Sequence, residues 1–479
     1  MSRLMPSIGI ECHVQLSTKS KLFSAAGNDA RGAAPNTLIS PLCLGLPGTL
    51  PVLNGAAVDL AIAAGLALNA RIASLSSFDR KHYFYPDLPK GYQITQLDKP
   101  IVGAGRLKVP LSDGVFEVGI IRAHLEEDAG KLTHPPGSDI SLVDLNRAGT
   151  PLLEIVSAPD MHGPAEAKAY AQELYLTMVM ARVTDGDLYH GNMRFDVNVS
   201  LSADPDKLGV RAEIKNLNSF RSVERAVAYE IKRQQELINA GESLVQQTRG
   251  WDEATQTTKE QRTKETATDY RYFPDPDIPP LALAGDRIAA IKKQLPMLPW
   301  DYRASWSKLN LDGSVVTALL GRPAYASIVS SIKDEHGEAH ARRVAHWLAG
   351  LTPPPGDKSN VPEPANFTAA DLVELSAMVE EGALSATAAK QVLAALPGSG
   401  QSPRQIAEKM NLSQLSDRSA LVNELDKLLK EDAAAARALA DYQSGNLHAG
   451  SYIIGQLMKR TGGKANPALA AELLKRLDR

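Results

Sequence analysis

The sequence predicts an α+β protein: an antiparallel sheet with one polar working face, followed by a region built of helices. Three observations point there. Several stretches alternate with period two, setting an aliphatic face against a face of specific polar residues. Strand patterns stop after about Leu295. Beyond it, alanine-rich helical patterns alternate with short breaks such as Pro353-Pro-Pro-Gly356 and Pro397-Gly-Ser-Gly400. The expected division is a sheet-bearing body over 1–294, a helical domain over 295–400 and a small helical tail over 401–479.

Taken in order, Ile8 to Leu16 alternates strictly, with Glu11, His13 and Gln15 opposite Ile8, Ile10, Cys12, Val14 and Leu16. Leu44 to Pro51 is punctuated by Gly and Pro and must be a shaped loop. Gly55 to Ala70 is apolar nearly all round, so a buried helix is expected. Phe78 to Gln93 mixes aromatic, basic and proline residues, a composition suited to a rigid binding loop or a packed crossover. Val118-Gly-Ile-Ile121 reads as a strand running into Arg122-Ala-His-Leu-Glu-Glu-Asp-Ala-Gly-Lys131. Alternation puts Arg122, His124 and Glu126 on one face there, with Asp128 joining only if the strand runs on. Another strand ends the stretch Asn146–Val156, and Pro164 can open a helix to about Arg182. Met193 to Leu201 sets Arg194, Asp196 and Asn198 on one face, and Val210 to Lys215 does the same with Arg211, Glu213 and Lys215. Ser219 can cap a long helix ending near Gly241.

Composition narrows the function classes. A net charge of −3 gives no global basic field, so contact with nucleic acid must come from a local patch. The two cysteines, Cys12 and Cys43, form no CxxC, so no disulfide scaffold can be read, which fits a reducing cytosol. No apolar run is long enough for a membrane span, and the first strand begins so early that no signal peptide is expected; a cytoplasmic protein follows.

The four polar faces share a chemistry. An acid recurs on all of them and an arginine on three, whereas ordinary wet faces favour Lys, Thr, Ser and Glu. Acids suit Mg²⁺ and guanidinium groups bind phosphate, so Arg122, Arg194, Arg211 and Lys215 are candidates for a nucleotide's phosphates. The alternative is a charged, solvated sheet face. No GxxxxGK[ST] loop, GxGxxG or GxSxG occurs, and no N-terminal cysteine nucleophile is available.

These residues lie in longer blocks: Ile8-Gly-Ile-Glu-Cys-His-Val-Gln-Leu, Leu44-Gly-Leu-Pro-Gly-Thr-Leu-Pro, Asp79-Arg-Lys-His-Tyr-Phe-Tyr-Pro-Asp, His124-Leu-Glu-Glu-Asp-Ala-Gly-Lys, Asn146-Arg-Ala-Gly-Thr-Pro-Leu, Glu213-Ile-Lys-Asn-Leu-Asn-Ser, Asp269-Tyr-Arg-Tyr-Phe-Pro and Gly463-Lys-Ala-Asn-Pro. Over nearly its full length the chain resembles the B-subunit family (GatB/GatE) of the glutamine-dependent aspartyl/glutamyl-tRNA amidotransferases. The resemblance implies a cradle-like catalytic domain related to glutamine synthetase and guanido kinases. It implies ATP and Mg²⁺ as cofactors, and an amidase A subunit and a small C subunit as partners. Ammonia would arrive through an intersubunit channel, and the substrate would be Glu or Asp carried on the wrong tRNA. It assigns Glu11, His13, Glu127, Asp196 and Glu213 to the metal and ATP site, and Lys81, Tyr83 and Lys90 to the ammonia route and the mouth of the site.

Alternation favours Glu126 over Glu127. The resemblance points to Glu127, which a bulge or strand end at the pair would turn inward, so Glu127 is the preferred ligand and Glu126 stays a candidate. Many family members carry a four-cysteine zinc knuckle around the positions of Phe23 to Gly45; here only Cys43 remains, so no zinc is expected. The basic tail, with Lys459, Arg460 and Lys464, resembles the family's tRNA-contacting domain.

Overall fold

The computed structural model of the chain describes residues 4–204, 206–263, 270–352, 368–412, 418–461 and 465–477. The chain forms two compact units, one up to Ala304 and one from Ser305 onward. The first is organised by a single eight-stranded sheet. Its strands are β1 (Met5–Gln15), β2 (Gly105–Leu111), β3 (Gly114–Glu127), β4 (Pro151–Ser157), β5 (Met193–Ser202), β6 (Ala212–Leu217), β7 (Gln247–Asp252) and β8 (Thr257–Thr263). They lie in the order β8-β7-β6-β5-β1-β4-β3-β2.

The sheet is antiparallel except between β6 and β7, which run parallel from Ala212↔Gln247 to Lys215↔Gly250. The expectation of a wholly antiparallel sheet is corrected here. A parallel pair needs a long crossover, and the helix Phe220–Asn239 supplies it. That helix starts where the sequence indicates: the Ser219 side chain accepts from the Ser222 N–H, and Gly241 closes the end at φ +77°.

Period-two patterning does what it predicts along β1: Ile8, Ile10, Cys12, Val14 and Leu16 are all buried. Three helices pack against the sheet, α1 (Gly55–Ala67), α2 (Pro164–Met180) and α3 (Phe220–Asn239). α1 is apolar all round because it is buried nearly all round, and the backbone of its Gly65 lets Ile72 and Val102 approach within a distance that a Cβ would occupy. Glu230 of α3 is fully buried. It accepts both guanidinium bonds of Arg233 (2.6 and 2.9 Å) and one from Gln234 (2.9 Å), with Arg249 of β7 at 3.7 Å. This network ties α3 to β7.

Two irregularities set the phase of the polar face. In β3 the register shifts between Ile120 and Arg122. Val118 and Ile120 are buried before it, Ala123 and Leu125 after it, and the intervening Ile121 is half exposed. The bulge therefore switches the core-facing positions from even to odd numbers, which frees Arg122, His124 and Glu126 for the other face. In β6, two residues face one on β5: Ile214 pairs with Val197 and Leu217 with Phe195. Asn216 takes the left-handed conformation there at φ 68°, which Asn tolerates better than most residues.

From Ser305 on, the described elements are helices. The last of them, Arg418–Glu431, Ala433–Gln443, Leu447–Arg460 and Pro467–Leu477, bury Leu421, Leu425, Ile453, Leu457 and Leu473 among themselves. Among the described residues no single helix is long and apolar enough to cross a membrane.

Candidate functional site

The polar face of the sheet is a cleft, and strand register places its side chains. His13 on β1 stands opposite Glu154 on β4, and Glu154 stands opposite His124 on β3. Glu126 follows His124 by two residues and so shares its face. The result is a four-residue cluster: His13 Nε2 lies 3.5 Å from Glu126 and 3.7 Å from Glu154, and His124 Nε2 lies 3.4 Å from Glu154 and 3.8 Å from Glu126. One ligand atom each from His13, Glu126 and Glu154 falls within 4.8 Å of the others. Burial would discharge His124, but the two carboxylates outweigh it and raise its pKa to about 9. Burial would raise the Glu154 pKa; the two histidines and Lys81 instead hold it well below the ordinary carboxylate range.

A second acidic row adjoins the first. Glu11 pairs across the sheet with Asp196, and Glu213 pairs with Asn198. Asn198 donates to Glu11 (2.9 Å). Lys215, re-aimed by the β6 bulge, bridges Asp196 at 2.9 Å and Glu213 at 3.2 Å. Burial works against its charge, yet these carboxylates raise its pKa above the ordinary lysine value, so it stays an ammonium. Three buried atoms in this region have no hydrogen-bond partner: Arg122 Nε, His124 Nδ1 and Asn198 Oδ1. Buried orphans are rare in a finished core, and here they border one cleft.

The cleft gathers Glu11, His13, Lys81, Arg122, Glu126, Asp196, Glu213 and Lys215, together with Glu154, Tyr270 and Tyr272. Glu154 was legible as the lone acid in Pro151-Leu-Leu-Glu-Ile-Val156, but nothing in the sequence gives its register against His13. Tyr270 sits with its ring centroid 4.8 Å from Lys81 Nζ.

Four expected residues stand elsewhere. Glu127 does not turn inward: the β3 bulge lies at Ile120/Arg122, so strict alternation holds to the strand end and Glu126 takes the cleft. Glu127 forms a buried ion pair with Lys90 on the opposite face and accepts from the Ile94 N–H at 3.2 Å. Lys90 accordingly belongs to that face. Arg194 reaches Asp128 (3.1 Å), which Arg147 also holds at 3.2 Å. Arg211 precedes β6, which begins two residues later than the alternation suggests, and it is not among the cleft's lining residues. Tyr83 has its ring 6.4 Å from that of Tyr270; burial, then Glu126, Asp87, Asp128 and Glu127, push its phenol well above its usual pKa, so it stays protonated and can donate a hydrogen bond.

The Phe23 to Gly45 segment carries a different arrangement. Lys21, buried, places its ammonium 3.4 Å from Cys43 Sγ and 3.3 Å from the Leu145 carbonyl, and Ser40 Oγ is 3.3 Å from the same sulfur. Burial opposes a thiolate there, but Ser40 and Lys21 outweigh it and lower the Cys43 pKa. One thiol beside an ammonium is a poor donor set for a zinc ion, which takes four ligands. In the tail, Arg460 is held by Glu424 (3.3 Å) and Glu431 (2.7 Å), Lys459 is exposed, and Lys464 lies outside the described residues.

Comparison with known proteins gives the chain's family. Residues 6–289 match the GatB/GatE catalytic domain and residues 330–477 the GatB domain. The chain is 44% identical to the aspartyl/glutamyl-tRNA(Asn/Gln) amidotransferase B-subunit of Thermosynechococcus vestitus, over 98% of this chain and 95% of the relative. It is 43% identical to the protein of the same name from Thioalkalivibrio sulfidiphilus, over 98% of both chains.

Proposed function

The chain belongs to the GatB/GatE family, and from that premise we propose that it carries out ATP-dependent transamidation of misacylated Glu-tRNA(Gln), Asp-tRNA(Asn) or both. It acts as a ligase that makes a side-chain amide, with ammonia supplied by a partner amidase through an intersubunit channel and a small third protein joining the two. The observation that carries this reading is the convergence of His13, Glu126 and Glu154 within 4.8 Å on a sheet face that also holds Glu11, Asp196, Glu213 and Lys215. A carboxylate-rich set with open positions suits Mg²⁺, and the orphaned Arg122 Nε suits a phosphate oxygen. A cradle of the glutamine synthetase type accords with one polar sheet face backed by helices.

We assign His13, Glu126 and Glu154 to the divalent cation, with Glu11, Asp196 and Glu213 extending the acidic row and Lys215 and Arg122 meeting phosphate. Bound magnesium–ATP supplies the phosphoryl group that activates the substrate carboxylate. Lys215 holds its proton and neutralises charge throughout. Tyr83, kept protonated by burial and the nearby acids, can donate a hydrogen bond but does not give up its proton. Lys81, framed by Tyr83 and Tyr270, orients the carboxylate. Ammonia then displaces phosphate at the activated carbon and loses a proton, releasing inorganic phosphate. The tail, including Lys459, Arg460 and Lys464, grips the tRNA body through its phosphates.

The test uses the chain alone and assembled with its partner proteins. The assembled complex is expected to hydrolyse ATP and form the amide only with misacylated tRNA, and the chain alone to hydrolyse no glutamine. Glutaminase activity in a preparation free of the amidase, or no amide from the complete complex, overturns the reading.

A further inference from the structure

A second, separate pocket lies farther along β1 from the cation cluster. His13 and Gln15 are two residues apart on one face of β1, about 7 Å along the strand. Gln15 lines a second pocket of about 670 Å³, which is large enough for a nucleotide and open to solvent. The Arg194–Asp128–Arg147 ion pairs lie between the two, since Arg194 is the register partner of His13.

The far wall of this pocket is a loop built to hold one ring outward. Gly186 (φ 68°) and Gly191 (φ 72°) turn the chain where a side chain would strain. Asn192 accepts from the Asp187 N–H (3.0 Å) and donates to Gln15 (3.1 Å), fixing the loop to β1. Asp187 takes His190 at both its N–H (3.1 Å) and its Nδ1 (2.8 Å). Tyr189 packs edge-on against His190 at 5.1 Å and is nevertheless 90% exposed, more than any other large hydrophobic side chain of the described residues. Exposed Lys19 and Lys131 flank the opening. The lining also holds Asp29, Asp144 and Asp185, with Arg31 paired to Asp29 and Asp185; an exposed aromatic face beside the remaining cations and amide groups can receive an unpaired base and its phosphate.

We infer that this pocket seats the 3′-terminal nucleotide of the aminoacylated tRNA, its base stacked on Tyr189, so that the attached amino acid extends along β1 from Gln15 toward His13. The inference rests on the transamidation reading and adds the subsite that aims the substrate. Double-stranded acceptor would not fit: a helical stem hides its base faces, whereas the single-stranded end offers them.

The experiment is a two-by-two comparison in the assembled complex: wild type and Tyr189→Ala, each binding the tRNA with and without its 3′-terminal adenosine. Removing the adenosine is expected to weaken wild-type binding about tenfold, the scale of one base–aromatic stack, and to weaken Tyr189→Ala much less. Tyr189→Phe should behave as wild type, and the KM for misacylated tRNA should follow the same pattern. An equal cost of adenosine removal in wild type and Tyr189→Ala overturns the subsite while leaving transamidation standing. Failure of Tyr189→Ala to assemble with the partner proteins also overturns it, by making the loop a protein contact. A wild-type complex that binds tRNA but forms no amide overturns the functional reading, and the subsite with it.

Discussion

Glu154→Gln is expected to lower amide formation by the assembled complex about a thousandfold in kcat/KM, and to lower the melting temperature as well, because it removes the charge that the two histidines hold in place. Glutamine keeps the shape of the side chain, and Glu154 sits between His13 at 3.7 Å and His124 at 3.4 Å. What is lost is the charge that completes the proposed cation site, a contribution of ~4 kcal/mol to the proposed phosphoryl-transfer transition state. The same variant removes the main carboxylate holding the His124 pKa near 9, so His124 should discharge at lower pH than in the wild type. The sign is that of a raised base: loss of the acid partner lowers the folded pKa, and charge on His124 then survives only in more acidic solution. Steady-state kinetics across a magnesium titration checks the first point and imidazole NMR the second. Near-wild-type amide formation at saturating magnesium would remove Glu154 from the site.

Glu230→Ala should strongly destabilise the sheet-bearing unit. It strands the Arg233 guanidinium and leaves Arg249 and Gln234 without their buried acceptor. Breaking a buried pair from one side costs ~3–5 kcal/mol, about 6–10 °C in the melting of a unit this size. Glu230 is far from the chemistry in role, yet it anchors the crossover helix that makes β6 and β7 parallel, and β6 carries Glu213 and Lys215. Calorimetry on the variant decides it; a melting temperature within a degree of wild type would mean the network is stabilised elsewhere.

The helix ends were legible because their signals are local. Ser219 and Gly241 mark α3 by capping chemistry, and Pro164 marks the start of α2. The polar faces were legible because period two needs no partner to be read. What could not be read is register. Glu154 is conspicuous as a lone acid, but its meeting with both histidines depends on how β4 slides against β1 and β3, and residues far apart in sequence decide that. Arg211 was misplaced for a related reason: alternation continues through Val210 and Arg211, but pairing with Gln247 starts only at Ala212. Glu126 and Glu127 show the limit most sharply. Alternation alone selected Glu126, and the family resemblance selected Glu127, which needed a bulge at the pair to face inward; a bulge exists, but upstream, at Ile120/Arg122.

That bulge makes the chain length of β3 editable at one place. Ile121 is the supernumerary residue, half exposed and skipped by the pairing with β4. Removing it leaves Val118 and Ile120 facing the core and Arg122, His124 and Glu126 facing the cleft, since simple alternation across the junction gives the same sidedness. Removing Leu125 instead would turn Glu126 into the core and Glu127 toward His13. A strand with this property tolerates loss of one residue at a single joint and at none beside it. Deletion of Ile121 should therefore yield folded, active complex with a modestly lower melting temperature, while deletion of Leu125 should yield insoluble chain; soluble yield and amide formation of the two variants, side by side, measure the difference.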